Sequence, residues 1–91
     1  MSFRVIPNFK VKNVEDVVAF LKYVVVDLNL GWDFHPDDDF AAFVDQETGK
    51  PLFSEEDADE LNELIDKCFD ICAKQHKDIY HLTLQEQLKL D

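Results

Sequence analysis

The sequence predicts an α+β domain in which two long helices pack together and flank a short β-hairpin, with a short C-terminal helix closing the chain. Three observations predict it. Two stretches repeat apolar residues at helical spacing behind clear helix starts, "NVED" at 13–16 and "SEED" at 54–57. Between them, "FAAFVDQETGKPLF" sets a turn-forming "QETG" between two apolar ends. The 91 residues suit one domain, 1–91, with room for one small core.

In chain order, "MSFRVIPNFKVK" alternates loosely around Pro7 and reads as an extended arm or short edge strand. Asn13 then caps a helix, with Asp16 at the reciprocal capping position. Val14, Val17, Val18, Leu21, Val24, Val25 and Leu28 follow one helical face. Phe20 and Tyr23 widen it, so this helix belongs at the centre of the fold or in a subunit contact. Gly31 suits the left-handed position beyond the helix end, and Trp32 falls where an apolar residue folds back on the last turn.

Phe40 to Val44 reads as a strand and Lys50 to Phe53 as its return. Gly49 takes positive φ after a type I turn, and Pro51 marks an edge. Ser54 caps the second helix, expected from about Glu55 to about Gln75, with Leu61, Leu64, Ile65, Cys68, Ile71 and Cys72 on one face. The tail from Tyr80 fits both a strand, through Tyr80, Leu82 and Leu84, and a helix, through Tyr80, Leu84 and Leu88. The helix formers at 85–89 favour the helix.

Charge is the strongest global feature. The net charge is −11. Eleven acids fall between Asp33 and Glu60 against one base, Lys50, so that segment carries −10 and the rest of the chain −1. Direct nucleic-acid binding needs clustered Lys and Arg and is disfavoured, as is an anionic membrane surface. No apolar run is long enough to span a bilayer, and the N-terminal residues lack the apolar stretch of a secretory signal. Cys68 and Cys72 form no disulfide framework, which points to reduced thiols and a cytoplasmic location.

The stretch "GWDFHPDDDF" at 31–40 concentrates the residues with chemistry. His35, Asp37 and Asp39 offer an imidazole and carboxylates to a divalent metal. Yet a calcium loop counted from Asp33 has Asp38 where Gly is required and Val44 where Glu is required. Asp side chains bonded to local amides around Pro36 explain the same residues without a ligand. Cys68, Cys72 and His76 lie at i, i+4 and i+8, but the CxxxC spacing and the apolar face favour buried thiols over zinc or redox chemistry. Acid–base catalysis through His35 or His81 has no Gly-rich loop, nucleophile elbow or zinc-hydrolase motif behind it, so no enzyme and no cofactor is expected.

What remains is interaction. Asp33, His35, Asp37, Asp38, Asp39, Glu55, Glu56 and Asp59 form a candidate acidic surface for a basic protein partner. The ordinary explanation is that the acids favour a helix N-terminus and keep the domain soluble. The aromatic surplus leaves two readings open, a single aromatic core or a homodimer that buries Tyr23, Phe34 and Phe40.

"LGWDFHPDDDF", "ETGKPLFSEEDADELN", "CFDIC" and "DIY" together resemble a group of small hypothetical bacterial proteins of the gut-anaerobe type, over most of residues 30–80. That resemblance implies a helix ending in a Gly–aromatic–x–Phe–His–Pro–Asp run, a "TG-x-P-x-F" hairpin and an acidic helix start. It implies no activity, cofactor or site residue. The expected function is therefore a non-enzymatic cytosolic protein acting through an acidic interaction surface. The alternatives are a metal-binding domain built on His35 and Asp37–Asp39, or a purely structural homo-oligomer.

Overall fold

A computed structural model describes residues 9–90. Asn13 opens the first helix, α1 (Val14–Lys22), by accepting the Asp16 amide at 2.9 Å. The expected reciprocal bond is displaced by one residue, since Asp16 Oδ2 accepts from the Lys12 amide at 2.9 Å. The winding then widens into a π turn, Tyr23–Asp27, where the Leu28 amide reaches back to the Tyr23 carbonyl. Val24, Val25 and Val26 crowd the preceding turn with branched Cβ atoms, and the wider winding relieves them. Asn29, at φ 59°, ends the helix in the left-handed position. Gly31 also has positive φ, 53°, but it opens a 3₁₀ turn, Gly31–Asp33. Trp32 does not fold back on the helix as expected, and is 58% exposed.

The second helix, α2 (Glu55–Lys74), matches its expected limits closely. Ser54 Oγ accepts the Asp57 amide at 3.1 Å. Its end is a complete Schellman closure, with Lys77 N–H on the Cys72 carbonyl, His76 N–H on the Ala73 carbonyl, and His76 at φ 55°. Asp78 caps the third helix, α3 (Ile79–Leu88), through the Tyr80 and His81 amides.

The α+β expectation is overturned. Among the described residues the fold is helical, and the only strand-like pairing is an isolated antiparallel bridge between Val44 and Pro51. Among the described residues there is no β-hairpin. The Asp39 carboxylate accepts the Ala41 amide at 2.9 Å and bends Phe40–Ala42 into a 3₁₀ turn, which removes the extended backbone of the first strand. The bridge itself is held by the Asp45 amide on the Lys50 carbonyl at 2.8 Å and the Leu52 amide on the Phe43 carbonyl at 3.0 Å, and the pairing goes no further. The turn between them does form, with Gly49 at φ 71° and Asp45 Oδ1 accepting the Glu47 amide at 2.8 Å. Of the expected N-terminal arm, residues 1–8 lie outside the described residues. Residues 9–12 follow an irregular path, and Phe9 packs edge-on against Phe20 at 5.5 Å.

One apolar cluster holds the three helices together. α1 supplies Val17, Phe20 and Leu21, the π turn Tyr23, Val24 and Val25, and α2 Ala58, Leu61, Leu64, Ile65, Cys68 and Cys72. α1 packs on both α2 and α3, and α2 also packs on the Phe40–Ala42 turn. Phe40 is fully buried at the hub of an aromatic group, with Phe34, Phe43 and Phe53 rings at 5.8, 5.9 and 6.0 Å. Tyr23 and Phe34 are buried as well. The three aromatics expected at a subunit contact, Tyr23, Phe34 and Phe40, therefore serve the chain's own core, and none stands exposed to another copy.

Candidate functional site

The loop from Phe34 to Asp39 crosses from the first 3₁₀ turn to the second, and its backbone explains most of its sequence. Phe34 and Pro36 point inward while His35, Asp37, Asp38 and Asp39 stay exposed. His35 and Asp38 close on one another. The Asp38 amide donates to the His35 carbonyl at 2.9 Å, and the His35 amide donates to Asp38 Oδ2 at 3.2 Å. His35 Nδ1 accepts the Asp37 amide at 3.2 Å, so the neutral ring carries its proton on Nε2. The Asp37 carboxylate stands 3.7 Å from the same nitrogen and becomes an ion-pair partner when the ring is protonated.

Three residues that the sequence did not single out as site residues fasten this loop to the helices. Asn62, on α2, uses both ends of its amide. Nδ2 donates to Asp39 Oδ1 at 2.8 Å, and Oδ1 accepts the Phe40 amide at 3.0 Å. Tyr80, in the first turn of α3, donates its hydroxyl to Asp37 Oδ1 at 2.7 Å and lies beside the His35 ring at 5.4 Å. Gln87, buried near the other end of α3, donates to the Phe34 carbonyl at 2.8 Å and the Gly31 carbonyl at 3.1 Å. Each of these bonds spans 22 to 56 residues of chain, and no local spacing signals them.

The electrostatics follow this bonding. The Ala41 amide, and then the Asn62 side chain, hold the Asp39 carboxyl below its ordinary range. The bond to Asp37 pushes the Tyr80 phenol up, helped by partial desolvation and the nearby Asp37 and Asp78 charges, so it remains a donor. Burial pushes the Cys68 thiol up to about 12 and raises Cys72 as well, the opposite of what a nucleophile or metal thiolate needs. His76 leaves the helical face of the two Cys by taking the left-handed position.

Of the metal alternative, Asp37, Asp39 and His35 Nδ1 each already hold a protein hydrogen bond. Among the described residues, no group of three His, Cys, Asp or Glu side chains is arranged to hold a metal ion. A concavity of about 230 Å³ beside the loop is lined by Asp38, Asp39, Ala42 and Phe43, without His35. An open groove of about 540 Å³ runs between the first 3₁₀ turn and the 42–52 segment, with Asp33 and Asp45 at its edges and Leu30, Phe43 and Leu52 along it.

The other expected site residues lie on α2. Glu55, Glu56 and Asp59 are exposed. They open a longer ridge that the sequence did not single out, since Glu60, Glu63 and Asp66 are exposed as well and fall at helical spacing with them. Asn62 sits beside this ridge, so its bond to Asp39 joins the acidic loop to the acidic helix face. No helix among the described residues is long and apolar enough to cross a membrane. Compared with known proteins, the chain matches no family model, no curated protein and no solved structure.

Proposed function

We propose that this chain is a non-enzymatic, cytosolic interaction domain whose acidic face receives a basic protein partner. The observation that carries the reading is the outer face of α2. From Glu56 to Asp66 it spans about 15 Å at the rise of an α-helix. Along it Glu56, Asp59, Glu60, Glu63 and Asp66 meet at i, i+3 and i+4. Each such like-charged pair destabilises a helix by roughly 0.2–0.5 kcal/mol. The helix dipole offsets this for Glu55, Glu56 and Asp57 in the first turn, but its effect fades beyond that turn. Glu63 and Asp66 lie past its reach, and a polycation docked there would relieve their repulsion. The free, buried thiols of Cys68 and Cys72 fit a reducing compartment.

The test is calorimetric titration with an oligolysine peptide at low and high salt. Wild type should bind at low salt and lose affinity steeply as salt rises. The triple substitution Asp59→Asn, Glu63→Gln, Asp66→Asn should abolish binding and raise the melting temperature of the free protein. Binding that is indifferent to salt or to the triple substitution would refute the reading.

A further inference from the structure

The third helix presents its faces in the reverse of the usual order. Its inward side carries Thr83, Glu86 and Gln87 beside Ile79, all buried, while Tyr80, Leu84 and Leu88 stand 44%, 41% and 64% exposed. An exposed leucine alone is unremarkable, but Leu84 and Leu88 in file with Tyr80, whose ring meets His35 and Phe69 on one side only, form an apolar face open to solvent over buried polar side chains. Spaced four residues apart, they make one stripe about 12 Å long. The helix cannot roll to bury it. Gln87 ties the inward face to the preceding loop through the Gly31 and Phe34 carbonyls, at 3.1 and 2.8 Å. Within the helix itself, Thr83 Oγ1 donates to the Ile79 carbonyl at 2.8 Å and Lys89 Nζ reaches the buried Glu86 carboxylate at 2.9 Å, so the inward polar groups are satisfied where they stand.

We propose that this stripe is the contact between two copies of the chain, packed antiparallel about a two-fold axis that passes through Leu84. Charge selects the occupant. The exposed arc of α3 and its flanks carries Lys77, His81 and Lys89 against Asp78, with Asp37 beside Tyr80, so it is close to neutral. In a chain of net charge −11, it is a surface where a second copy approaches with little repulsion. A polycation, by contrast, would meet two lysines here and is better received by α2.

The two ends of the stripe are also complementary to each other. At the Tyr80 end stand Asp78, the helix cap, and Asp37, bonded to the Tyr80 hydroxyl, two acids against Lys77. At the Leu88 end stands Lys89. An antiparallel pair sets Leu84 on Leu84 and Tyr80 on Leu88. It thereby brings each Lys89 to the Asp37–Asp78 end of the other copy, whereas a parallel pair would set lysine on lysine. Three side chains per copy fall well short of the roughly 800 Å² per partner of a standard interface, so the dimer is weak, on the order of micromolar or weaker.

Sedimentation equilibrium across a wide range of protein concentration, in enough salt to screen the net charge, tests the association. Wild type should pass reversibly from monomer to dimer. Leu84→Glu should remain monomeric at every concentration while keeping the wild-type melting temperature of the monomer, because position 84 is exposed there. Mild oxidation tests the geometry. Leu84→Cys should cross-link to itself. Leu88→Cys should not, yet it should cross-link to Tyr80→Cys in a mixture. A wild type that stays monomeric, a dimer that survives Leu84→Glu, or cross-linking of Leu88→Cys to itself would each overturn the proposal. So would a monomer that Leu84→Glu destabilises, since the stripe would then be covered from within its own chain.

Discussion

Gln87 tests how the loop that carries the acidic residues is held. Its amide group gives one hydrogen to the Phe34 carbonyl at 2.8 Å and the other to the Gly31 carbonyl at 3.1 Å, and the side chain is 7% exposed. Gln87→Leu keeps the approximate volume and removes both donors. Each net hydrogen bond contributes about 0.5–1.5 kcal/mol, and both carbonyls lose a partner, so the loss should be about 2 kcal/mol. For a chain of this length that corresponds to a fall in Tm of roughly 8–16 °C. It is also a large fraction of the ~5–14 kcal/mol that such a domain has in total.

Gln87→Glu sharpens the test. A carboxylate there has no hydrogen to give and faces two carbonyl oxygens, and an unpaired buried charge costs about 3–5 kcal/mol. The carboxylic acid can still donate once. The introduced carboxyl is therefore held above its ordinary pKa of about 4.3 in the folded state. Its deficit should be small below pH 4 and grow as pH rises toward 7, because the unfolded chain releases the proton first. Urea unfolding followed by far-ultraviolet circular dichroism at several pH values measures both effects. A Gln87→Leu variant within about 0.5 kcal/mol of wild type, a difference too small for two bonds of this kind, would refute the reasoning. So would a Gln87→Glu deficit that does not change with pH.

Three further outcomes are expected. Phe40→Ala should cost about 3–5 kcal/mol by urea unfolding, because a fully buried ring in contact with Phe34, Phe43 and Phe53 leaves a cavity. Stability should be unaffected by the Cys68 thiol below pH 9, and then fall as pH rises from 9.0 toward about 12, by up to about 4 kcal/mol, since the unfolded thiol ionises first. Cys68→Ala should flatten that limb without abolishing it, because Cys72 and Tyr80 are shifted in the same direction. His76→Gly should raise stability by roughly 1 kcal/mol in thermal unfolding, because glycine takes the left-handed position at φ 55° without the strain of a side chain.

The helix starts could be read from sequence because capping is local. Asn13 and Ser54 each bond an amide three residues ahead, and such pairs are visible as residue types at fixed offsets, whereas the Asp78 cap of α3 is not anticipated. The hairpin misled for a related reason. Phe40 to Val44 reads as a strand, but its two rings lie three residues apart, the spacing of a helical turn, with Phe40 buried, Phe43 half-buried and both alanines exposed. Asp39, read as one of a run of carboxylates, turns out to be the cap that makes that turn. Gly31 takes positive φ as expected, yet Asn29, two residues earlier, ends the helix just after a π turn that periodicity at 3.6 does not announce.

The loop residues themselves have two kinds of partner, and the difference bears on how any activity should be sought. The Asp38 carboxylate accepts the His35 amide and the His35 ring accepts the Asp37 amide, local bonds that turn chemistry anticipates. Asp37 and Asp39 are held by Tyr80 and Asn62 from two different helices, across 43 and 23 residues. The loop is therefore a joint between α2 and α3 as well as a display of carboxylates. Substituting Asp37 or Asp39 loosens that joint and alters charge at once, so a loss of binding there would be ambiguous. Glu63 and Asp66 stand exposed on a regular helix beyond the capping turn, where removing charge relieves repulsion and leaves the packed side of α2 untouched. Binding lost at those two positions, with stability unchanged or raised, separates recognition from folding in a way the loop residues cannot.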